Sequence, residues 1–249
     1  MDYPHLALLD ADFFAINIAR NCDVEGIEYI PEYVDYSVRE WTPKGCTEVA
    51  LAFSAPRKTY YRKDLYPMYK SNRDGMEKPK SLPYVKAYCE ENYQCCTVDK
   101  LEADDLLGIQ CSALSVVGVS IDKDMRSTPG WHWNPTKESE PVLVSPEDAD
   151  LQFHIQWISG DPVDGFKGVW RWGPKKALKY LQSTDQANHT VATLKLYEDK
   201  GYDYDYCLGM AICARILRTG EITPDFDPIV FDPFGDTCSS PRPNRGTLN

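Results

Sequence analysis

The chain has 249 residues, a formal net charge of -11, 43% hydrophobic and 26% charged residues, which is the composition of a globular protein with a sizeable core, in one elaborated domain or two smaller ones. So acidic a chain is excluded from coating nucleic acid indiscriminately, because backbone binding replaces counterions with Lys and Arg, but a focused basic groove stays open to it. The start, "MDYPHLALLDAD", has no basic leader region, and the longest uncharged apolar run, 106–121, is too short to span a membrane. Nine cysteines without C-x-x-C spacing, two of them adjacent at Cys95 and Cys96, fit neither a disulfide framework nor a zinc site. A reducing, cytoplasmic setting without a membrane partner is the expectation.

In chain order, three short β-rich runs each end on a polar or turn position: "LALL" before Asp10, "VALAF" before Ser54 and "VVGVSI" before Asp122. Between them 34–41 and 83–91 read as helical, and "LEADDLLGIQCSAL" as a helix opened by carboxylates. Alternation of strand and helix predicts an α/β fold, a central mainly parallel sheet flanked by helices. "RSTPGWHWNP" reads as loop, and 141–144 as an edge strand. Helices are expected over 148–158, 174–182, 187–198 and 205–218, and the polar, Pro-rich stretch from Asp236 as a disordered tail. A soft boundary near 150 separates an α/β half, 1–150, from a helical half, 151–235.

Nine acids fall into four clusters: Asp10 and Asp12; Glu102, Asp104 and Asp105; Asp122 and Asp124; Asp161 and Asp164. Singly, each cluster is explained by helix starts or turns. Jointly they say more, since Asp10 and Asp122 stand at the C-terminal ends of separate predicted strands, where α/β sheets build sites. Converging carboxylates without His or Cys suit Mg²⁺ or Mn²⁺ rather than zinc, and two such ions support phosphoryl transfer.

The cations are concentrated too. Residues 53–73 carry Arg57, Lys58, Arg62, Lys63, Lys70 and Arg73 against the single acid Asp64, and "FKGVWRWGPKKALKYL" carries Lys167, Arg171, Lys175, Lys176 and Lys179 with no acid. Two basic patches on an acidic chain point to a polyanionic substrate.

"LLDADFF", "YPMYKSNR", "LEADDLLG", "VSIDKD" and "ISGDPVDGFKGVWRWGPKKA", in this order, resemble the metal-dependent 5′-nuclease or flap endonuclease superfamily, within it the 5′→3′ exonucleases of short-tailed bacteriophages. The resemblance spans residues 6–218. It implies a PIN-like fold with a helical gateway at about 57–95, and a C-terminal helical region with a helix-hairpin-helix element at "GVWRWGPKKA". It implies a first metal at Asp10, Glu102 and Asp104 with Asp105 adjacent, and a second at Asp122, Asp124 and Asp161 with Asp164 nearby. Lys70 and Arg73 would face the scissile phosphate. Arg57, Lys58, Arg62, Lys63, Lys167, Arg171, Lys175 and Lys176 would guide DNA, with K⁺ at the hairpin. The implied activity is two-metal hydrolysis of DNA at duplex ends, nicks or flaps, with RNA–DNA hybrid as a further substrate, by a monomer in the host cytoplasm if phage-encoded.

Two positions depart from the pattern. Where the family places another acid after the second strand, this chain has Ser54 and Ala55; either Asp12 or a neighbouring acid compensates, or the first metal site is weakened, or the sequence has been altered. Arg171 stands where the hairpin often has a Gly that tolerates positive φ. Two alternatives follow: a non-catalytic DNA-binding module of the same fold, and a haloacid-dehalogenase-type phosphatase. The latter shares "DAD" and "GDPVDG" but lacks a Thr after the first pair, where Phe13 and Phe14 stand.

Overall fold

A computed structural model describes residues 3–233; the tail expected from Asp236 lies outside the described residues. Six strands, β1 (Leu6–Asp10), β2 (Glu48–Ala52), β3 (Gln94–Cys96), β4 (Val117–Val119), β5 (Gly130–Trp133) and β6 (Val142–Val144), form one sheet in the order β3-β2-β1-β4-β5-β6. All neighbours are parallel except β5 and β6. The expected mainly parallel sheet and its edge strand at 141–144 are present. β5 lies inside the segment expected to be loop: its Trp131 and Trp133 alternate with buried Gly130 and His132, a period-2 pattern masked by flanking Pro and Gly.

Nine helices occur among the described residues: α1 (Ala11–Glu25), α2 (Ile30–Glu40), α3 (Tyr61–Leu65), α4 (Leu82–Asn92), α5 (Ala103–Ser112), α6 (Pro146–Ser159), α7 (Pro174–Gln182), α8 (His189–Asp199) and α9 (Tyr204–Ala214). α1 was not among the expected elements, although Ala11, Phe14, Ala15, Ile18, Ala19 and Cys22 bury one face at helical spacing. It follows β1 with no loop at all, because Asp10 ends the strand and caps the helix, accepting the Asp12 amide. α9 stops at Ala214, short of the expected 218. Arg215 turns extended, and its carbonyl is taken by Arg62.

Strand alternation sends apolar side chains to both faces of the sheet. Ala7, Leu9, Leu51, Val117 and Val119 pack with α1, α2 and α4. Leu8, Ala50 and Ala52 pack with Leu106 and Leu107 of α5 and with Ile212, Ile216 and Leu217 from the end of the chain's helical part. A third cluster joins α6–α9 through Phe153, Trp157, Leu181, Tyr197 and Met210, and takes in Ala55, Tyr60 and Tyr69 from the segment between β2 and α4. Between β2 and β3 the chain forms α3, two 3-10 turns and α4. All eight cysteines among the described residues are free thiols, and no helix there is long and apolar enough to cross a membrane.

The strand order reverses direction at β1. The chain builds outward from β1 to β3, then returns to place β4 on β1's other side. At such a switch point the crevice beyond the strand ends is where α/β sheets bind ligands. Asp10 at the end of β1 and Asp122 three residues beyond β4 flank it.

Candidate active site

Asp10 emerges at this crevice with Oδ2 accepting from the Ser120 hydroxyl at 3.1 Å and Oδ1 from the Asp12 amide at 3.3 Å. Burial, followed by the charge of Asp12, pushes its carboxyl up to about 7. Asp104, on the first turn of α5, is pushed well above the carboxylate range by burial and then by Asp10 and Asp122. Its Oδ1 is buried without a hydrogen-bond partner among the described residues. Asp124, in the turn after β4, is raised to about 7 by burial and the neighbouring Asp122. Asp122 raises all three of these carboxyls, and Asp10 also raises Asp104.

Glu102 caps α5 and is treated differently. Burial pushes its carboxyl up, but the charges of Lys70 and Arg62 outweigh this and hold it below its usual value. Lys70 Nζ pairs with Oε1. Arg62 Nη1 and the Tyr69 hydroxyl both donate to Oε2 at 2.9 Å. Glu102, Asp104, Asp122, Asp124 and Asp164 line one narrow recess floored by Tyr69 and Arg62.

The loop after α6 brings the last two acids. Asp161 Oδ1 accepts the Val163 amide at 2.7 Å, which shapes the turn, while Oδ2 receives Lys123 Nζ at 3.2 Å. Asp164 is raised by burial, against the pull of Lys70 and Arg73. Its Oδ1 takes Arg73 Nη2 at 2.7 Å, and its Oδ2 lies 3.4 Å from Lys70 Nζ. Lys70 therefore bridges two acid clusters, from a left-handed backbone with φ of 51° that its amide secures by donating to the Asp164 carbonyl at 2.7 Å. No three His, Cys, Asp or Glu among the described residues stand close enough together to chelate one ion as placed; their oxygens are drawn instead to Lys70, Arg73, Lys123 and Lys86.

Two expectations are corrected by burial. Arg62 is only 2% exposed, so it does not guide a DNA backbone at the surface. Its Nη2 and Nη1 bind Asp105 at 2.6 and 2.7 Å, and Nη1 also reaches Glu102. Asp105, fully buried, has both oxygens taken by Arg62 and by the amides of Glu102 and Leu217 at 3.1 Å each. It serves as the structural anchor of the α5 start and offers no open oxygen to an ion. Arg57 is half-buried with its guanidinium on the Arg73 carbonyl, and Lys63 pairs with Asp74 at 2.9 Å. Lys58 is exposed.

The departure at Ser54 and Ala55 is partly filled. The Ser54 amide donates to Asp12 Oδ2 at 2.9 Å, so α1 swings a carboxylate beside the end of β2. Lys86 of α4 stands 3.3 Å from Asp12 Oδ1 and 4.4 Å over the Phe53 ring. Ala55 is buried near Tyr60 and Tyr69. Lys86, Tyr69, Ser120 and Lys123 were not among the expected residues. Lys123 lay in view inside "DKD", whereas nothing in the local sequence of α4 marks Lys86.

The second basic patch is a hairpin between α6 and α7, at residues 168–173. Gly160 and Gly168, both at positive φ, pinch its base: a Cβ on Gly168 would sit 2.4 Å from the Gly160 nitrogen. Asp161 and Phe166 exchange backbone hydrogen bonds across the same pinch. Arg171 keeps the turn that a Gly would favour, at φ of 60°. Lys167, Arg171, Lys175, Lys176 and Lys179 are all exposed.

Residues 7–129 match the 5′-3′ exonuclease, N-terminal resolvase-like domain family. The exonuclease of Escherichia phage T7 is 29% identical over 164 residues, covering 62% of this chain and 54% of that protein. The exodeoxyribonuclease of Enterobacteria phage T3 is 31% identical over 162 residues, covering 61% and 53%. The chain thus spans about half the length of these relatives. Among solved structures, a T5 protein co-crystallised with metal ions superposes with a TM-score of 0.65 at 14% identity, over 84% of this chain and 88% of that one. T5 5′-exonuclease with bound zinc gives 0.58 at 16% identity, over 84% and 93%. These superpositions give the fold: the mainly parallel sheet and flanking helices of the 5′-nucleases.

Proposed function

We propose that the chain is a member of the 5′-nuclease superfamily, a reading supported by the match of residues 7–129 to the 5′-3′ exonuclease domain, and that it is a divalent-metal-dependent 5′→3′ exonuclease or flap endonuclease acting on DNA ends, nicks and flaps. One observation carries this reading: the half-buried Asp10 and Asp104 and the buried Asp124 are all raised in pKa, first by burial and then by neighbouring acids, with Asp104 Oδ1 left without a partner among the described residues. A fold does not bury so many mutually repelling carboxyls for stability. A donor set dominated by hard carboxylate oxygens, with Cys213 the one thiol lining the recess, fits Mg²⁺ or Mn²⁺.

In this reading Asp10, Glu102 and Asp104 hold one ion, with Asp12 supplying charge where Ser54 and Ala55 supply none. Asp122, Asp124 and Asp161 hold another, with Asp164 nearby. When bound, such ions make water nucleophilic at neutral pH and offset charge on the phosphate. Lys70 and Arg73, which pair with Glu102 and Asp164 here, present donors to the non-bridging oxygens of the strand to be cut. The exposed cations of the 168–179 region grip the duplex backbone in the manner of a helix-hairpin-helix with K⁺. Residues 1–150 are then the catalytic half and 151–235 the DNA-gripping half of a monomer, and RNA–DNA hybrid is a further substrate. The match of residues 7–129 to the 5′-3′ exonuclease domain supports this reading over the haloacid-dehalogenase alternative.

The test compares the unaltered chain with Asp161→Asn on a 5′-labelled duplex in Mg²⁺ and in Mn²⁺. Asn keeps the acceptor that shapes the Val163 turn and removes only the charge. Cleavage by the unaltered chain is expected to fall by at least about 100-fold in the variant, with DNA affinity retained. DNA binding without cleavage by the unaltered chain in either metal would instead establish the non-catalytic module, the reading favoured by the missing acid at Ala55.

A further inference from the structure

The hairpin between α6 and α7 contains two tryptophans with opposite fates. Trp172 is packed: its ring meets Tyr180 edge-on at 5.4 Å, and Lys176 Nζ lies 4.2 Å over it. Trp170, two residues earlier at the tip, is 75% exposed. Among the described residues the Arg171 guanidinium, at 5.8 Å, is the group that lies over its ring. A singly exposed apolar side chain is ordinary by itself; what distinguishes Trp170 is the support beneath it and the charge of its segment.

The backbone beneath Trp170 is held firmly. Its amide donates to the Tyr202 hydroxyl at 3.0 Å, and the Tyr206 hydroxyl donates to the Gly168 carbonyl at 3.0 Å. Tyr202 and Tyr206 stack on each other at 4.8 Å. The Gly160–Gly168 pinch then ties the hairpin to the Asp161 loop with no slack for side chains. The indole is thus a projecting ring on a rigid support, nine residues from an acid of the candidate site. Lys167, Arg171, Lys175 and Lys176, within six residues of it along the chain, are all exposed, and no acid occurs from 165 to 184.

We infer that Trp170 is a stacking platform for one unpaired nucleobase of the DNA held by this hairpin, an assignment that rests on the DNA-directed reading above. The chemistry commits to a base: a flat π surface covers the indole, while the phosphates on either side of that base meet the surrounding cations. A fully paired duplex presents its base faces only to one another, so the platform is useful only where stacking is interrupted, at a gap, flap or frayed end. Trp170 therefore adds preference for interrupted DNA to a grip that is otherwise indifferent to base pairing. Arg171 over one side of the ring pre-orients it and contributes a second charge to the same nucleotide.

Two DNAs of equal length test this without added divalent metal, so that binding is read without cleavage: a continuous duplex, and the same duplex with a three-nucleotide gap carrying 2-aminopurine. The unaltered chain is expected to bind the gapped DNA more tightly and to change the 2-aminopurine fluorescence. Trp170→Ala should lose about tenfold on the gapped DNA and little on the continuous one, losing the fluorescence change as well. Trp170→Phe should restore most of both. Circular dichroism and melting of the variants should match the unaltered chain, since the ring packs against almost nothing. An equal loss on both DNAs, or no loss on either, overturns the platform while the nuclease reading stands on its cleavage assay. Failure of the unaltered chain to bind either DNA overturns the platform, and only together with absence of cleavage in Mg²⁺ and Mn²⁺ does it overturn the nuclease reading as well.

Discussion

The acidic cleft and the basic hairpin are both charged, but they spend their charge in opposite ways. In the cleft, charges of both signs are buried: Arg62, Lys70, Glu102, Asp105, Asp124 and Asp161 are each less than a tenth exposed. In the hairpin, charges of one sign are exposed to water. Removing a buried charge from its partner costs about 3–5 kcal/mol, while an exposed ion pair contributes about 0–1 kcal/mol. Substitutions in the cleft should therefore read out in stability and chemistry, and substitutions in the hairpin in DNA binding and its salt dependence.

The largest expected effect that could break this contrast is at Arg62. Arg62→Met strands Glu102 and Asp105 without their shared cation and should lower unfolding free energy by about 3 kcal/mol or more in urea titration. Arg62→Lys keeps the charge but loses the bidentate grip on Asp105, and should fall between. A loss below about 1 kcal/mol for Arg62→Met would mean that the buried network is no more costly to disturb than the surface.

The next effect is a pH dependence of metal-free stability. Asp10 and Asp124 are raised to about 7, in each case first by burial, whereas in the unfolded chain they titrate near 4. The folded chain therefore holds protons that the unfolded chain has released, and the stability tied to them is full below about pH 4 and lost as pH rises through about 7. His132 and His154 act with the opposite sign. Burial pushes both down to about 4, so their contribution is present above about 6.5 and is lost as pH falls toward 4. Between about pH 6.5 and 8 the carboxyls govern. In chelator the melting temperature should fall across that window, and Asp124→Asn should flatten the fall; a flat profile for the unaltered chain would show that the cleft is not strained by its own charge.

The smallest effect is in the hairpin. Arg171→Gly removes a left-handed conformation that costs a non-glycine residue about 1 kcal/mol, and should raise stability by up to that amount, as read by urea midpoint. The same change should weaken DNA binding and make it less salt-dependent by about one counterion. Unchanged binding would separate Arg171 from the grip.

Much of the architecture was legible because it is written in local patterns. β1, β2 and β4 end where apolar runs give way to Asp10, Ser54 and the Asp122 turn, and α7 spans 174–182 as expected because Gly173 and Pro174 punctuate its start. α1 was equally regular and was passed over because no loop residue separates it from β1. β5 was hidden by its Pro, Trp and Gly surroundings. The clustering of acids at strand ends was also visible, since a strand's last residue is a local property and the sheet merely brings such ends together.

Which cation meets which acid was not visible. Arg62 and Lys63 are adjacent in one basic run, yet Arg62 is buried against Asp105 and the Arg215 carbonyl, 43 and 153 residues away, while Lys63 stays near the surface with Asp74. The same holds for Lys86 on Asp12, and for the difference between Trp170 and Trp172. The amino-acid sequence by itself determined the α/β class, the acid clusters and the two basic patches, because these follow from residue type and short-range periodicity. Only the tertiary structure decided which charges are desolvated and which face water, because burial and partnership are set by packing between segments far apart in the chain.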